Sequence, residues 1–575
     1  MSRQPSLAVG GGGWSLLPNR WDGLAGLLVF GGLALIAIGL GQARAPLETA
    51  TQAAISLDPA NLPGYALRSL LRMAAAMAAS LLFTVLFAPL AAKSRHAELV
   101  LIPALDVLQS VPVLGYVSFS VTFFLSLFPG QVLGGELAAV FAIFTSQAWN
   151  MAFSMFQSLR TVPRDLRDAS KVLRLTAWHQ FWRLELPFAV PGLVWNMMMS
   201  MSGGWFYVIA SEAVMVGTTH VTLPGIGAYV AKAILSRDIG AIGWALLAMT
   251  AVILACNQFL FHPLAAWADK YRFETTAGQP VPPSWFLDVL RRMRLIPLLG
   301  MPWRRIWRAS FGVRLPLPAR SGGVRFSGRF VDWGWYGVVG VAAIVSGWHI
   351  TVYLAENLGW DDLAVTLEAT ILTMLRVMAM TVLASLIWVP VGVWIGLRPR
   401  WSAAIQPLAQ FLAALPANLL FPIAVVTIVR YRLDAEFWVA PLMLLGAQWY
   451  ILFNVIAGAS AFPNDLREAA KTLHLRGWPW WRSVILPGIF PYYVTGAVTA
   501  AGGAWNASII AEYMRWGDIT VSVPGIGSFI ARMTEAGDYP RILLGLVVMS
   551  RVVTLLNRLL WYRLYAFAER RLRLD

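Results

Sequence analysis

Long apolar runs, separated by short charged segments, fill most of the chain. A helix needs roughly 20 predominantly apolar residues to cross a bilayer, and about twelve such runs can be drawn along the sequence. The predicted spans are 24–42, 66–91, 110–128, 134–159, 188–214, 238–262, 334–355, 366–397, 408–429, 437–460, 488–513 and 540–560. Prolines interrupt the third and ninth of these spans, where neighbouring helices would have to satisfy the freed backbone groups. The pattern predicts an all-α, polytopic membrane protein.

The composition supports this class and excludes others. Hydrophobic residues make up 58% of the 575 residues and charged residues only 13%, whereas soluble chains carry about 25% charged residues. An ordinary soluble enzyme, a disordered protein and a fibrous repeat are therefore excluded. Cys256 is the single cysteine of the sequence, which excludes an internal disulfide and a cysteine-based metal site. The six histidines are scattered singly, so the sequence predicts neither catalytic residues nor a metal site.

Basic residues set the expected orientation. With the N-terminus inside, the predicted inside segments contain 33 Arg and Lys residues and the outside segments contain 7. Cytoplasmic loops carry such an excess, so the N- and C-termini are predicted to be cytoplasmic. The net charge of +16 then lies mostly at the membrane surface next to lipid, and no nucleic-acid partner is needed to explain it.

The first span has two interpretations. Residues 43–45 read Ala-Arg-Ala and resemble a signal-peptidase site at the end of an apolar run. That run is longer than the apolar core of a signal peptide usually is, which favours a retained span. Cleavage would remove one span and leave the orientation of the others unchanged.

The chain contains a duplication at an offset of 300 residues. Segments 163–187 and 463–487 are identical at 11 of 25 positions without a gap. The same offset relates Trp149 to Trp449, Trp205 to Trp505, Glu212 to Glu512 and the Pro-Gly-Ile-Gly run 224–227 to 524–527. Both copies are predicted on the same side of the membrane, which indicates a parallel repeat with a pathway between its halves. The predicted domains are 1–262, a linker 263–333, and 334–575.

The duplicated segment is a polar loop between the fourth and fifth spans of each half. Pro163 can open a helix, and acidic residues follow in its first turn, where the helix dipole favours them. Apolar residues recur at spacings of three and four and form one stripe. A short amphipathic helix, repeated in register, indicates a docking element. The predicted docking residues are Asp165, Arg167, Asp168, Ala169, Ser170, Lys171, Asp465, Arg467, Glu468, Ala469, Ala470 and Lys471.

These loops resemble the EAA signature of the permease subunits of ABC importers. The matching runs are 168–170 and 468–470, followed by the Leu-Pro pairs that end both loops. The chain departs from the signature at its glycine, where Arg174 and His474 stand. The resemblance implies two tandem six-helix halves of the type I importer fold. It also implies that each loop is a coupling helix in a groove of a cytoplasmic ATPase.

The surrounding pattern is similar to the nitrate/sulfonate/taurine branch of these permeases. The matching runs are 210–212, 511–512, 223–227, 523–527 and 537–540. The resemblance implies a bacterial inner-membrane protein that moves a small anion by alternating access. Its implied partners are two ABC ATPase subunits and an extracytoplasmic solute-binding protein. No Gly-x-x-x-x-Gly-Lys-Ser/Thr motif occurs, so the chain is expected to bind no cofactor itself, and Mg-ATP is expected on the ATPase subunits.

Five residues are candidates for the pathway or its gate: Trp205, Glu212, Trp505, Asn506 and Glu512. Ionisable groups at membrane depth are costly and are functional hypotheses by default. Alternatively, each glutamate lies at the end of its span and anchors the adjacent Pro-Gly-Ile-Gly loop. The two tryptophans follow glycine pairs, which let backbones approach closely and place a bulky side chain beside them.

The linker 263–333 carries 12 basic and 4 acidic residues, with aromatic residues among its arginines. This composition is typical of a segment lying on anionic lipid, and a contact with the ATPase is the alternative. Three other functions also remain open. They are a fused permease for ferric iron or thiamine, an ion-coupled secondary transporter, and a membrane enzyme.

Overall fold

The fold is given by a computed structural model. It describes residues 23, 55–216, 219–271, 284–293, 301, 328–460, 462 and 464–571. The predicted first span 24–42 and most of the linker lie outside the described residues. Within them, seven helices are long and apolar enough to cross a membrane, or up to nine if each of two bent helix pairs is one span. The all-α, polytopic class predicted from the apolar runs is confirmed.

The first half is a chain of helices with one small hairpin. Its helices are α1 (Leu62–Lys93), α2 (Arg95–Ser110), α3 (Val113–Leu127), α4 (Val132–Arg160), α5 (Arg164–Val172), α6 (Leu186–Ser211), α7 (Ile226–Leu235) and α8 (Ile239–Cys256). The antiparallel strands β1 (Ala213–Val216) and β2 (Thr219–Thr222) stand between α6 and α7. The described part of the linker contains most of a short helix, His262–Ala268, a 3₁₀ turn, Asp269–Tyr271, the helix α9 (Trp285–Arg292) and the first residues of the helix Gly328–Asn357.

The second half begins with the helix Gly328–Asn357, whose predicted counterpart in the first half lies outside the described residues, and then repeats this order. Its helices of nine or more residues are α10 (Gly328–Asn357), α11 (Trp360–Gly396), α12 (Pro399–Ala414), α13 (Phe421–Arg430), α14 (Ala435–Leu444), α15 (Gln448–Ser460), α16 (Asn464–Thr472), α17 (Leu486–Ala511), α18 (Ile526–Ala536), α19 (Tyr539–Leu556) and α20 (Tyr562–Arg571). The strands β3 (Tyr513–Trp516) and β4 (Ile519–Ser522) form the second hairpin. Neither hairpin was predicted from the sequence, because each is a few residues long and follows directly on an apolar helix.

The duplication extends to irregular backbone. Turns of π-helix occupy Phe181–Glu185 and Trp481–Ile485, and a second pair occupies Asn257–Phe261 and Asn557–Trp561. Each pair keeps the offset of 300 residues. A π-helical turn inserts an extra residue into a helix and is rare. Its recurrence at matching positions indicates that both halves share one backbone design.

The predicted continuous span 408–429 is wrong, because it is broken, whereas the predicted span 110–128 contains one continuous helix, α3. Val111 and Pro112 separate α2 from α3, and a 3₁₀ turn, Ala417–Leu419, separates α12 from α13, with a bend of 67° between these two helices. Proline has no backbone N–H and cannot continue a helical ladder. The pair α14 and α15 is bent by 43°, whereas its counterpart α4 is continuous, so the halves differ here.

The two halves share one apolar core. Inside each half, α4 packs between α1 and α6, and α15 packs between α11 and α17. The broken pairs cross over, since α3 contacts α17 and α19, while α12 contacts α6. Hydrogen bonds join the halves there, including one between the hydroxyl groups of Ser118 and Thr534 at 3.3 Å. The backbone N–H of Val113 donates to Oδ1 of Asn506 at 2.8 Å, Thr122 and Tyr539 share one at 3.0 Å, and Asn418 donates to the carbonyl of Phe206 at 3.1 Å.

Candidate functional site

We call α5 and α16, the two helices that the sequence predicts to dock, the coupling helices, and one repeated contact anchors both. The guanidinium of Arg167 donates to the carbonyl oxygen of Leu159 at 2.6 Å, and Arg467 donates to that of Ala459 at 3.2 Å. Within these helices, Ser170 and Ala470 lie on the inner face and are buried. These four positions therefore fix each helix to the end of the preceding span.

The opposite face of each coupling helix is open to solvent. Its exposed members among the predicted docking residues are Asp165, Asp168, Ala169, Lys171, Glu468, Ala469 and Lys471. The side chain of Asp465 is outside the described residues. Lys171 donates to Asp168 at 2.8 Å, and this contact lowers the pKa of the exposed Asp168 carboxyl. Beside these charges, Leu173 and Leu473 are 69% and 70% exposed. An apolar patch with charges around it is typical of an interaction surface.

Both coupling helices end in the same left-handed turn. Arg174 has a φ of 49° and His474 has a φ of 53°, in the region that favours glycine. The backbone N–H of Leu175 bonds to the carbonyl of Ser170, and that of Leu475 bonds to the carbonyl of Ala470, both at 3.0 Å. These are the bonds of a Schellman motif, which satisfies the last carbonyls of a helix. The turn is therefore present although its glycine is replaced.

Glu212 lies in a buried cluster at the end of α6, which we call the first clamp. It is fully buried and accepts three hydrogen bonds, from Ser69 at 2.6 Å, from Arg72 at 2.7 Å and from the backbone N–H of Gly227 at 2.6 Å. Arg72 also donates to the carbonyl of Pro224 at 3.0 Å. The carboxylate thus ties α1 to the Pro-Gly-Ile-Gly loop before α7.

Glu512 forms the second clamp with the corresponding groups. It accepts from Thr373 at 2.7 Å, from Arg376 at 3.1 Å and from the backbone N–H of Gly527 at 2.7 Å. Arg376 donates to the carbonyl of Pro524 at 2.6 Å. The chemistry of the two clamps is the same, with a hydroxyl, an arginine and a loop N–H around one buried carboxylate.

The clamps differ in their charge balance. Arg72 binds a second carboxylate, that of Glu136, through Nε at 2.6 Å and Nη2 at 2.7 Å. The residue 300 positions later, Glu436, is exposed, and within the described residues Arg376 forms an ion pair with Glu512 alone. The Arg72 side chain is 5% exposed and that of Arg376 is 15% exposed.

The Pro-Gly-Ile-Gly loops need their glycines for space. A Cβ atom on Gly225 would overlap the Glu212 carboxyl group, and one on Gly525 would overlap that of Glu512. The backbone therefore approaches the buried carboxylate as closely as glycine allows. This explains why both glutamates recur together with these loops.

Sequence reasoning missed the arginines of both clamps. Arg72 and Arg376 lie in apolar spans, where a charged residue is itself a signal of function. They are 304 residues apart, and Ser69 and Thr373 are also 304 apart, so the offset of 300 did not align them. An arginine one helical turn after a hydroxyl residue, in the second span of each half, was the signal that could have found them.

A central cavity of about 870 Å³ lies between the halves. Its described lining comes from the middle of the spans and from their ends near the coupling helices, and none of it comes from the hairpins, α7 or α18. On the hairpin side, Arg237 pairs with Asp518 at 2.7 Å and Gly517 donates to the carbonyl of Ile234 at 2.9 Å. The described lining therefore lies away from the hairpins, where these two contacts bridge the halves.

The structure separates the five pathway candidates. Trp505 and Asn506 line the central cavity, and Asn506 also joins the halves through its bond with Val113. Trp205 is buried against a smaller pocket between the halves. Glu212 and Glu512 lie in the clamps, outside the cavity lining. The candidates thus divide into two cavity residues, one packing residue and two loop anchors.

The fold and the site together define a duplicated, multi-span membrane protein with a repeated amphipathic helix in each half and a central cavity between the halves. Segments 60–266 and 388–574 each match the family described as binding-protein-dependent transport system inner membrane component. The chain belongs to this family. The match in both halves confirms the resemblance to fused ABC importer permeases that the duplicated loops predicted.

Individual relatives point to the nitrate-type branch. The bicarbonate transport system permease protein CmpB of Synechococcus elongatus is 31% identical over 189 residues, covering 33% of this chain and 65% of that protein. The nitrate import permease protein NrtB of Leptolyngbya laminosa is 27% identical over 187 residues, covering 32% and 63%. The putative ABC transporter permease protein MJ0413 of Methanocaldococcus jannaschii is 25% identical over 196 residues, covering 34% and 70%. The chain spans a little under two thirds of the bicarbonate and nitrate relatives.

Proposed function

We propose that the chain is the transmembrane subunit of an ATP-driven importer and that it forms both halves of the translocation pathway. The observation that carries this proposal is the pair of coupling helices, fixed by Arg167 and Arg467 and exposing the same charged and apolar face. Two such faces fit two copies of one partner. Separate ATPase subunits are the partners proposed, with Mg-ATP bound on them.

The proposed cargo is a small inorganic anion such as bicarbonate or nitrate. The described lining of the central cavity contains no aspartate or glutamate and one arginine. Ferric iron and thiamine are cations, and such a cavity would offer them no counter-charge, which disfavours both alternatives. The similarity to bicarbonate and nitrate permeases supports the same class of cargo.

The proposed mechanism is alternating access. In the state described here, two contacts bridge the halves at the hairpins and the cavity lining lies away from them, which supports assigning it to the state that releases cargo. Closure of the ATPase pair would draw α5 and α16 together and separate the hairpin side, breaking bonds such as that between Val113 and Asn506. A solute-binding protein on the hairpin side would then deliver the anion. In this proposal the coupling helices and both termini lie in the cytoplasm of a bacterial inner-membrane protein.

Docking is tested by reversing charge on both coupling helices. The tagged chain is purified in mild detergent with its ATPase, and Asp168→Arg is combined with Glu468→Arg. We expect ATPase activity in the wild-type eluate and its loss in the double variant. Glu436→Arg, an exposed position outside the coupling helices, is the matched control and should keep the ATPase.

Transport is tested in liposomes with labelled bicarbonate and labelled nitrate. We expect uptake that requires the ATPase, the binding protein and ATP. Uptake by the chain alone, without ATP, would contradict it and favour a secondary transporter. Uptake of a cation instead of either anion would contradict the proposed cargo.

A further inference from the structure

One arginine occupies a distinctive place in the central cavity. Arg558 lies in the π-helical turn Asn557–Trp561 and lines the cavity near its coupling-helix end. It is the one charged side chain in the described lining. A π-helical turn re-aims the side chains that it carries and often marks a functional site.

The duplication shows that this arginine is not required to build the turn. The first half forms the same π-helical turn, Asn257–Phe261, with Gln258 at the position corresponding to Arg558. A neutral side chain of similar length is therefore compatible with this backbone. The charge is present in one half only. The backbone turn therefore does not account for it, and its role concerns the cavity that the side chain lines.

The guanidinium of Arg558 is also available. The side chain is exposed, and within the described part of the chain no hydrogen bond or ion pair engages it.

We propose that Arg558 is a specificity-determining residue that binds the anionic cargo at the coupling-helix end of the cavity. In this proposal Arg558 attracts the anion towards the exit at the coupling-helix end of the cavity. The inference rests on the proposed function, because it assumes that the cavity is the pathway of an anion. A cleft lined by charge of one sign concentrates the opposite ion by factors of roughly 10 or more.

The experiment measures ATP-dependent uptake of labelled bicarbonate and nitrate into liposomes containing the assembled complex. Arg558→Gln copies the residue of the first half, and Arg558→Lys keeps the charge. We expect Arg558→Gln to lower uptake at limiting anion concentration roughly tenfold at low ionic strength, while Arg558→Lys stays near wild type. Arg563→Gln is the control, since Arg563 is exposed and outside the cavity lining.

The salt dependence separates an electrostatic role from a structural one. Wild-type uptake should fall as ionic strength rises, and uptake by Arg558→Gln should change little, with ATPase activity and co-purification retained in both. If the Arg558→Gln complex takes up the anions as fast as the wild-type complex, this inference is overturned and the proposed function stands. A wild-type complex that hydrolyses ATP but takes up neither anion would overturn the proposed cargo and the anion site together.

Discussion

The two clamps predict unequal costs for the same substitution. Glu512→Gln and Glu212→Gln each replace a fully buried carboxylate with an amide of similar size. In the first clamp, Arg72 keeps a bidentate ion pair with Glu136 after the change. In the second clamp, Arg376 loses the one carboxylate that the described structure gives it. We therefore expect Glu512→Gln to be the more destabilising variant.

The magnitudes follow from the hydrogen bonds of each carboxylate. An amide offers one acceptor oxygen to donors that converge from a hydroxyl, an arginine and a loop N–H, so one buried donor is left without a partner at about 1–3 kcal/mol. This is the expected cost of Glu212→Gln. Leaving a buried charge unpaired costs roughly 3–5 kcal/mol, and because Arg376 is 15% exposed and keeps its bond to the carbonyl of Pro524, the expected cost of Glu512→Gln is about 3 kcal/mol, the lower end of that range.

The assay is thermal unfolding of the purified chain in detergent, followed as loss of the monodisperse peak. Glu436→Gln is the control, because Glu436 is exposed. Adding Glu136→Gln to Glu212→Gln should destabilise by more than the two single changes together, since Arg72 then has no carboxylate. The reasoning is refuted if Glu212→Gln destabilises as much as Glu512→Gln, or if the double variant is merely additive.

Three further outcomes follow from other parts of the structure. Arg174→Gly and His474→Gly should raise the thermal midpoint slightly and keep the ATPase bound, because each relieves a left-handed residue at about 1 kcal/mol; a fall in the midpoint would count against the turn described here. Gly225→Ala should abolish stable folding, since its Cβ overlaps a buried carboxyl group, and a normal elution profile would contradict that packing. Cysteines in place of Ser118 and Thr534, whose hydroxyl oxygens are 3.3 Å apart, should cross-link the halves in a chain whose native cysteine is replaced by serine. This cross-link should stop uptake until it is reduced, whereas continued uptake would show that the hairpin side does not need to open.

The repeated features were the ones that the sequence could predict. Both loops, both Leu-Pro pairs and both glutamates recur at one offset, and a pattern that appears twice is far less ambiguous than a single occurrence. The coupling helices lie where the amphipathic pattern predicts them, and Leu173 and Leu473 are exposed. Which side of each helix faces its own chain was not predictable, because Arg167 and Arg467 are anchored by backbone carbonyls of another helix.

The remaining features depend on contacts between distant segments. Arg72 is 140 residues from Glu212, and no local pattern connects them. Pro112 and Pro416 are visible in the sequence, but proline is also tolerated within continuous membrane helices, so a proline alone does not show whether the helix continues or breaks there. The cavity residues come from both halves, and only the packing of α3 against α17 brings Val113 to Asn506.

The differences between the halves concern the pathway more than the machinery around it. Coupling helices, π-helical turns and carboxylate clamps occur twice, and each must act alike if two equal ATPase subunits move both halves together. Along the cavity, by contrast, a bend separates α15 from α14, whereas α4 is continuous. Arg558 of the second half also corresponds to Gln258 of the first half. A pathway made of two identical halves would present any charge twice, and two arginines would repel each other and bind an anion more tightly than release allows. A fused chain can place a single charge in the cavity, and in the proposed pathway that charge would bind an anion and still let it leave.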